Sequence, residues 1–321
     1  MTCPFVSQAV GVLTGVILSA SAWAQAYPVK PIRMVTSAPG GGTDLATRLI
    51  AQGLTANLGK QVIVDNRPSG IVIGDIVAKS APDGYTMFLN GSAFWLQPFL
   101  QPNTPYDPVR DFSPITIATT SPNTLVVHPA VPVRSVQDLI AYAKARPGVL
   151  NYGSSSAGTP THLGAELFKA MASINIVRVA YKGNGPAING LIAGEVQVMF
   201  ANAASVGPHV QSGRLRALGV ASLEPTRLTP GLPTIASAGL TGYESASTYG
   251  VFGPASMPRA LVARINAEIV KVLNAPEAKQ RLFKSGMDVV ASTPEYLASY
   301  MKEDMKKMGR LIKQAAIKAD Y

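Results

Sequence analysis

Two short segments of the sequence could bind an anion through main-chain N–H groups or hydroxyls at the start of a helix. The first, SAPGGGTDLATR, spans residues 37–48 and places three glycines directly before an apolar stretch with helical spacing. The first turn of a helix carries unpaired N–H groups and the positive end of the helix dipole, so glycines there open an uncharged anion site. A tight turn that needs positive φ explains the glycines equally well. The residues alone leave both interpretations open.

The second segment, NYGSSSAGTPTHLG at residues 151–164, has the same organisation but adds hydroxyl side chains. Five hydroxyls fall within eight residues, at Ser154, Ser155, Ser156, Thr159 and Thr161. Capping a helix requires only one of them. A carboxylate accepts several hydrogen bonds at once, so the surplus of donors favours a carboxylate site over a simple cap.

Nucleotide and metal sites do not fit these residues. A dinucleotide fingerprint needs a third glycine after Gly40 and Gly42, where the chain has Leu45, and the Gly-Lys-Ser/Thr of a phosphate loop is absent. No two of the three histidines have the spacing of metal ligands, and Cys3 is the only cysteine. We therefore expect neither a metal nor a cofactor.

The sequence also offers an enzymatic alternative to a binding site, namely a serine hydrolase. Residues 153–157, GSSSA, come close to the G-x-S-x-G nucleophile elbow and lie between a predicted strand and a predicted helix. Only Ser155, Glu195 and His209 could form the triad in the required chain order, and the acid precedes the histidine by just fourteen residues. This spacing disfavours catalysis, and we expect no enzyme activity.

The N-terminus and the composition indicate an exported protein. The first 29 residues contain no charged side chain, and residues 10–26 run from an apolar stretch into small residues, which predicts a signal peptide over residues 1–26 with cleavage near Ala24 to Ala26. The remaining 295 or so residues hold no cysteine and carry the whole net charge of +10. Basic residues are scattered rather than clustered, so we expect no nucleic-acid partner. We expect a soluble, exported monomer.

Strands and helices alternate around both segments. The runs IRMVTSA, QVIVDN and TMFLNG read as strands, and residues from Asp44 to the stop at Gly59 read as a helix. VLNYG, EVQVMFAN and LRALGVAS predict further strands in the second half. Ser135 and Thr293 are placed to cap helices, and the methionines of the last helix are spaced for core packing. This order predicts an α/β protein with two lobes, each carrying one of the two segments.

Longer motifs resemble the periplasmic solute receptors of tripartite tricarboxylate transporters, the Bug proteins. The similar stretches include YPVKPIRMVTSAPGGGTDLATR, APDGYTMFL, YDPVRDFSPI, NYGSSSAGTPTHLGAELF and AYKGNGPAINGLIAGEVQVMF, and they follow one another through nearly all of the mature chain. The resemblance implies a type II periplasmic-binding fold, in which two α/β lobes joined by two crossovers close on a small carboxylate. It also implies permease subunits in the membrane as partners. A receptor that presents its ligand to a membrane sensor would need the same closure and stays open as an alternative.

The resemblance and the two segments together define the expected lobes and site. Lobe 1 is expected at residues 27–127 and 250–321, and lobe 2 at residues 128–249. The predicted ligand-binding residues are Ser37, Gly41, Gly42, Thr43, Asp44, Ser92, Ser154, Ser156, Gly158, Thr159, His162, Lys182 and Asn202.

The chain departs from the usual family pattern at positions near the predicted site. Ser37 replaces a common aromatic residue, so that wall of the pocket is expected either to be missing or to be supplied by another ring, such as Phe94 or Trp95. Ser156 replaces a usual glycine and adds a possible donor. Ala201 replaces a frequent aspartate, which argues against a ligand that bears an amino group. Asp44 and Arg48, four residues apart, are expected to form a local ion pair.

Overall fold

The computed structural model describes residues 27–40, 42–67, 70–155 and 157–318. The predicted signal peptide and the predicted site residues Gly41 and Ser156 lie outside the described residues. No helix within these described ranges is both long and apolar enough to cross a membrane.

The first third of the chain forms a parallel unit, which we call lobe 1. Its strands lie in the order β2-β1-β3. Parallel strands that are covered by helices on both faces read as continuous apolar runs, which is why β1 and β3 were recognisable in the sequence. Its elements are β1 (Ile32–Thr36), α1 (Gly42–Leu58), β2 (Val62–Asn66), α2 (Gly70–Ala78), β3 (Thr86–Gly91) and α3 (Ala93–Leu100).

Two long antiparallel strands connect lobe 1 to the second half. Strand β4 (Phe112–Val127) leaves lobe 1, and β9 (Ala246–Pro254) returns to it. The first part of β4 pairs with β9, while its residues 123–127 pair with the strand β7 of the second half. The 16-residue length of β4 is a finding of the structure. The limits of the two lobes along this shared pair stay a prediction.

The second half, which we call lobe 2, repeats the arrangement of lobe 1. Eight strands of the ten-stranded sheet follow the order β2-β1-β3-β9-β4-β7-β5-β6, so β5 is flanked by β6 and β7 as β1 is flanked by β2 and β3. Helix α1 follows β1 and α5 follows β5, so the two segments singled out in the sequence occupy equivalent positions. The elements are α4 (Val136–Ala145), β5 (Asn151–Ser154), α5 (Pro160–Ala172), β6 (Val177–Ala180), α6 (Asn184–Ala193), β7 (Val198–Asn202), α7 (Ala203–Gln211) and β8 (Arg216–Val220).

The C-terminal elements pack back against lobe 1 and the crossover. They are α8 (Arg259–Asn274), α9 (Pro276–Lys284), β10 (Asp288–Val289) and α10 (Pro294–Gln314). The predicted caps are confirmed, because Ser135 accepts from the Asp138 N–H at 3.0 Å and Thr293 accepts from the Tyr296 N–H at 3.2 Å. Helix α10 packs Met301 and Met308 into the core, which confirms their structural role. The predicted two-lobed α/β fold is confirmed.

Candidate functional site

The described residues between Ser37 and Asp44, here called loop 1, run from the end of β1 into the first turn of α1, and Asp44 holds them in place. Its carboxylate accepts the Gly40 N–H at 3.0 Å and lies 3.1 Å from Arg48 Nε. Asn66 Nδ2 donates to the same carboxylate at 2.8 Å and to the Ser37 carbonyl at 2.6 Å. The ion pair between Asp44 and Arg48 is confirmed. Asp44 therefore ties both ends of loop 1 to β2 and α1.

The charge of Asp44 is stabilised by this network. Burial raises the pKa of Asp44, but the hydrogen bonds from Arg48, Asn66 and Gly40 outweigh that effect and leave the pKa below its usual value. The carboxylate is thus ionised at neutral pH and satisfied by the protein itself. Its direct contact with a ligand stays a prediction.

A tyrosine that the sequence analysis missed lies against the first turn of α1. A β-carbon placed on Gly42 would lie 2.9 Å from the Tyr249 hydroxyl oxygen, so only glycine admits the ring at this distance. Tyr249 belongs to the crossover strand β9 and pairs with Gly91 of β3. Burial raises the pKa of Tyr249 more than its hydrogen bond with Ser247 lowers it, so the hydroxyl keeps its proton. An aromatic ring with a donor therefore stands beside loop 1.

Phe94 and Trp95 do not form the missing wall, so that expectation is wrong. Both rings are fully buried in the core. Phe94 packs edge-on against Phe88 and Phe112, with ring centroids 4.8 and 4.9 Å apart. Both residues belong to the buried face of α3, which packs into the core.

Residues 154–162, here called loop 2, bring three hydroxyls together at the start of α5. Ser155 Oγ lies 3.1 Å from Thr159 Oγ1 and 3.4 Å from Thr161 Oγ1, and the two threonine oxygens are 3.3 Å apart. Thr159 occupies the N-cap position, yet its side chain makes no capping bond. The three hydroxyls are therefore in contact with one another at the start of the helix. Such a cluster can redirect its protons toward a carboxylate.

Arg178, a second residue that the sequence analysis missed, holds loop 2 from strand β6. Its Nε donates to Ser154 Oγ and its Nη2 to the Ser155 carbonyl, both at 2.9 Å. The Ser154 hydroxyl donates to the same carbonyl at 3.1 Å and is fully buried. Ser154 thus serves as a link within the loop. The sequence feature that could have pointed to Arg178 is its position within the otherwise apolar run VRVA.

His162 stabilises loop 2 from within α5. Its Nδ1 accepts the Gly158 N–H at 3.0 Å, which places the proton of a neutral imidazole on Nε2. The ring is buried and lies parallel to Tyr152 at 6.5 Å. The hydrogen bond from the Gly158 N–H to His162 therefore stabilises the conformation of loop 2.

The remaining predicted residues lie at three separate places. Asn202 donates from Nδ2 to Ser121 Oγ at 2.9 Å and joins β7 to the crossover strand β4. Lys182 is exposed in the turn before α6. Ser92 is buried at the N-cap of α3 and lines a cavity between the lobes. The structure therefore groups the predicted residues into loop 1, loop 2 and these outlying positions.

Loop 2 also touches the opposite lobe. A β-carbon on Gly158 would lie 2.1 Å from Leu100 Cδ1 at the end of α3. Gly158 has φ +76°, which glycine adopts without strain. This contact brings loop 2 against lobe 1.

The residues of the hydrolase alternative do not assemble. Ser155 has two threonine hydroxyls as partners, and Glu195 accepts from the Tyr181 hydroxyl at 3.0 Å. His209 lies on α7 with no partner for Nδ1 among the described residues. No group of three acidic, histidine or cysteine side chains within the described ranges is placed to hold a metal ion.

Comparison with known proteins assigns the family. Residues 46–317 match the tripartite tricarboxylate transporter family receptor. Protein BugT of Bordetella pertussis is 32% identical, with 94% of each chain covered. Rpa4515 of R. palustris, solved with adipate, has a TM-score of 0.79 and 32% identity, covering 91% of this chain and 99% of that one. MatC (Rpa3494) from Rhodopseudomonas palustris, solved with bound malate, has a TM-score of 0.76 and 26% identity, covering 89% and 100%. The chain therefore belongs to the tripartite tricarboxylate transporter receptor family of periplasmic solute-binding proteins.

Proposed function

We propose that this protein is a non-catalytic periplasmic receptor that binds a small carboxylate between its lobes. Hinge closure would then deliver the ligand to the permease subunits of a tripartite tricarboxylate-type transporter. The observation that carries the proposal is the cluster of Ser155, Thr159 and Thr161 hydroxyls at the N-terminal end of α5. Three donors at the positive end of a helix suit a carboxylate better than a neutral group.

The position of both loops in the sheet supports this proposal. Loops 1 and 2 follow β1 and β5, the strands at which each lobe's connections change direction. Open α/β sheets bind their ligands at the carboxyl ends of strands at such points. The first turn of α1, next to Tyr249, offers main-chain donors at the equivalent place in lobe 1. The relatives solved with adipate and malate make dicarboxylates the first candidates.

The test is calorimetry on protein that has been unfolded and refolded to remove carried-over ligand. The panel contains mono-, di- and tricarboxylates, beginning with adipate and malate. We expect stoichiometric binding of at least one carboxylate and no product. The absence of heat with every member of the panel would overturn the proposal.

Variants of Thr159 locate the site within the protein. Losing one charge-assisted hydrogen bond costs about 1.5 to 3 kcal/mol, so Thr159→Ala should weaken binding at least about tenfold. Thr159→Ser keeps the hydroxyl and should bind as the original protein does. Equal affinity in both variants would remove loop 2 from the site.

Two alternatives are separated by their own measurements. A hydrolase would turn over an ester or amide and lose that activity in Ser155→Ala. A sensory receptor would retain a membrane sensor rather than a permease in a pull-down from membranes with and without the carboxylate.

A further inference from the structure

A cavity of about 260 Å³ lies between the lobes, beside the crossover strand β9. Helices α3 and α10 form its lobe 1 side, and Pro160 and Leu163 of α5 form its lobe 2 side. Residues 244–246, at the start of β9, complete the wall. We call this space the hinge cavity. It is large enough for a small organic group with several water molecules.

The wall of the hinge cavity is acidic. Glu244, Glu303 and Asp304 line it, against the single cation Lys307. Neither the lysine nor any other described cation forms an ion pair with these three carboxylates. Glu303 is exposed, but Glu244 and Asp304 are half-buried, and a half-buried carboxylate that is not ion-paired favours a cation in the space beside it.

Asp304 is the most constrained of the three acids. Its Oδ2 accepts a hydrogen bond from Trp95 Nε1 at 2.7 Å, which leaves Oδ1 for another donor. Burial raises the pKa of Asp304 more than this hydrogen bond and the nearby Lys307 charge lower it. A cation next to Oδ1 would remove that destabilisation of the charged form.

Ser92 supplies an independent indication of a ligand. It is only 6% exposed, lines the cavity, and makes no side-chain cap to α3. The hydroxyl is therefore not committed to the helix and can bond a group in the cavity. Its oxygen is an acceptor for an N–H donor arriving in the cavity.

From these observations we propose that the hinge cavity binds an organic ammonium group on a short aliphatic body, with Asp304, Glu244 and Ser92 as acceptors. Leu96, Leu163 and Met308 would cover the aliphatic part. A metal ion fits less well, because no three acidic, histidine or cysteine side chains of the described residues converge on one point. Both lobes line the cavity, so a molecule bound there would stabilise the closed arrangement of the two lobes. This site does not depend on the carboxylate function of loops 1 and 2.

The test uses n-butylammonium as the probe and 1-butanol as the neutral control of equal length. Binding is followed by the indole N–H resonance of Trp95, because this group is bonded directly to Asp304. Trp95 is the one tryptophan outside the predicted signal peptide, so the mature protein gives a single indole N–H resonance to follow. We expect butylammonium to shift the Trp95 signal in a saturable way and butanol to leave it unchanged.

Three variants decide the outcome. Asp304→Asn keeps the size and an acceptor for Trp95 and should weaken butylammonium at least about tenfold, as expected for a charge-assisted bond. Ser92→Ala, a milder change, should weaken it about threefold or more. Glu295→Gln makes the same charge change at an exposed position of α10 and should have no effect.

Equal response to amine and alcohol would overturn the ammonium site. So would unchanged affinity in both Asp304→Asn and Ser92→Ala. Neither outcome would bear on carboxylate binding, which is measured with different probes and different variants.

Discussion

The contact between Gly158 and Leu100 offers the sharpest test of how the lobes close. The substitution is Gly158→Ala. The added β-carbon would lie 2.1 Å from Leu100 Cδ1 and 3.0 Å from Cδ2, where ordinary contact begins at 3.4 Å. Leu100 is 5% exposed and packed in the core, so its side chain has little room to turn away. Moving the two lobes apart is the simplest way to remove the clash between the added β-carbon and Leu100.

The size of the effect follows from two separate costs. An alanine at φ +76° adds roughly 1 to 2 kcal/mol of backbone strain. Overpacking against Leu100 adds about 1 to 3 kcal/mol, and only this second cost depends on closure. If it falls on the closed form alone, carboxylate affinity should drop about 5- to 150-fold.

The control is Gly213→Ala. Gly213 has φ +72° and no atom within 4 Å of an added β-carbon. It therefore carries the backbone strain without the contact, and should lose stability but keep its affinity. Calorimetry with the carboxylate found in the panel measures affinity, and small-angle scattering measures the radius of gyration of the ligand-free protein, which should rise only in Gly158→Ala.

A double-mutant cycle with Leu100→Ala identifies the cause. If the clash separates the lobes, Leu100→Ala should restore part of the affinity lost in Gly158→Ala, giving a coupling energy of at least about 0.5 kcal/mol. Unchanged affinity in Gly158→Ala, or a coupling energy near zero, would refute the reasoning.

Three further predictions concern the loops. The folded-state pKa of Asp44 lies below its unfolded value, so its stabilisation is present above about pH 4 and is lost as the pH falls through the folded pKa. Asp44→Asn should therefore lower the free energy of unfolding at pH 7 by about 1 to 3 kcal/mol and flatten its decline in acid, both measured by denaturant titration. Arg178→Lys keeps the charge but not the two-atom contact to loop 2, and should weaken carboxylate binding in calorimetry by at least about tenfold, with an unchanged affinity contradicting its role. Tyr249→Phe keeps the ring beside Gly42 and removes the hydroxyl, and an affinity within about twofold of the original would show that only the ring matters.

The sequence was sufficient to predict those features that depend only on residues close together in the chain. Glycines and hydroxyls before apolar helical spacing located loops 1 and 2, and side-chain caps located the starts of α4 and α10. The ion pair of Asp44 and Arg48 was predictable because both residues lie one turn apart on one helix. All of these interactions span four residues or fewer.

The partners of the site residues could not be predicted in this way. Nothing near Gly42 in the sequence indicates Tyr249, which arrives on the returning strand β9. Ser154 looked like a ligand donor until its hydroxyl was found bonded between Arg178 and the Ser155 carbonyl. Such pairs depend on strand register across the sheet.

Sequence alone thus determined the kind of chemistry at each loop, because the residue types and their helical context fix which groups can donate hydrogen bonds. Tertiary structure decided which of those groups are already engaged and which face open space. Ser92 shows the difference: the sequence indicated it as a ligand-binding residue, but the acidic cavity around it is formed by α5, α10 and β9. Only folding brings these distant segments together, since a cavity is a property of packing between elements rather than of any one of them.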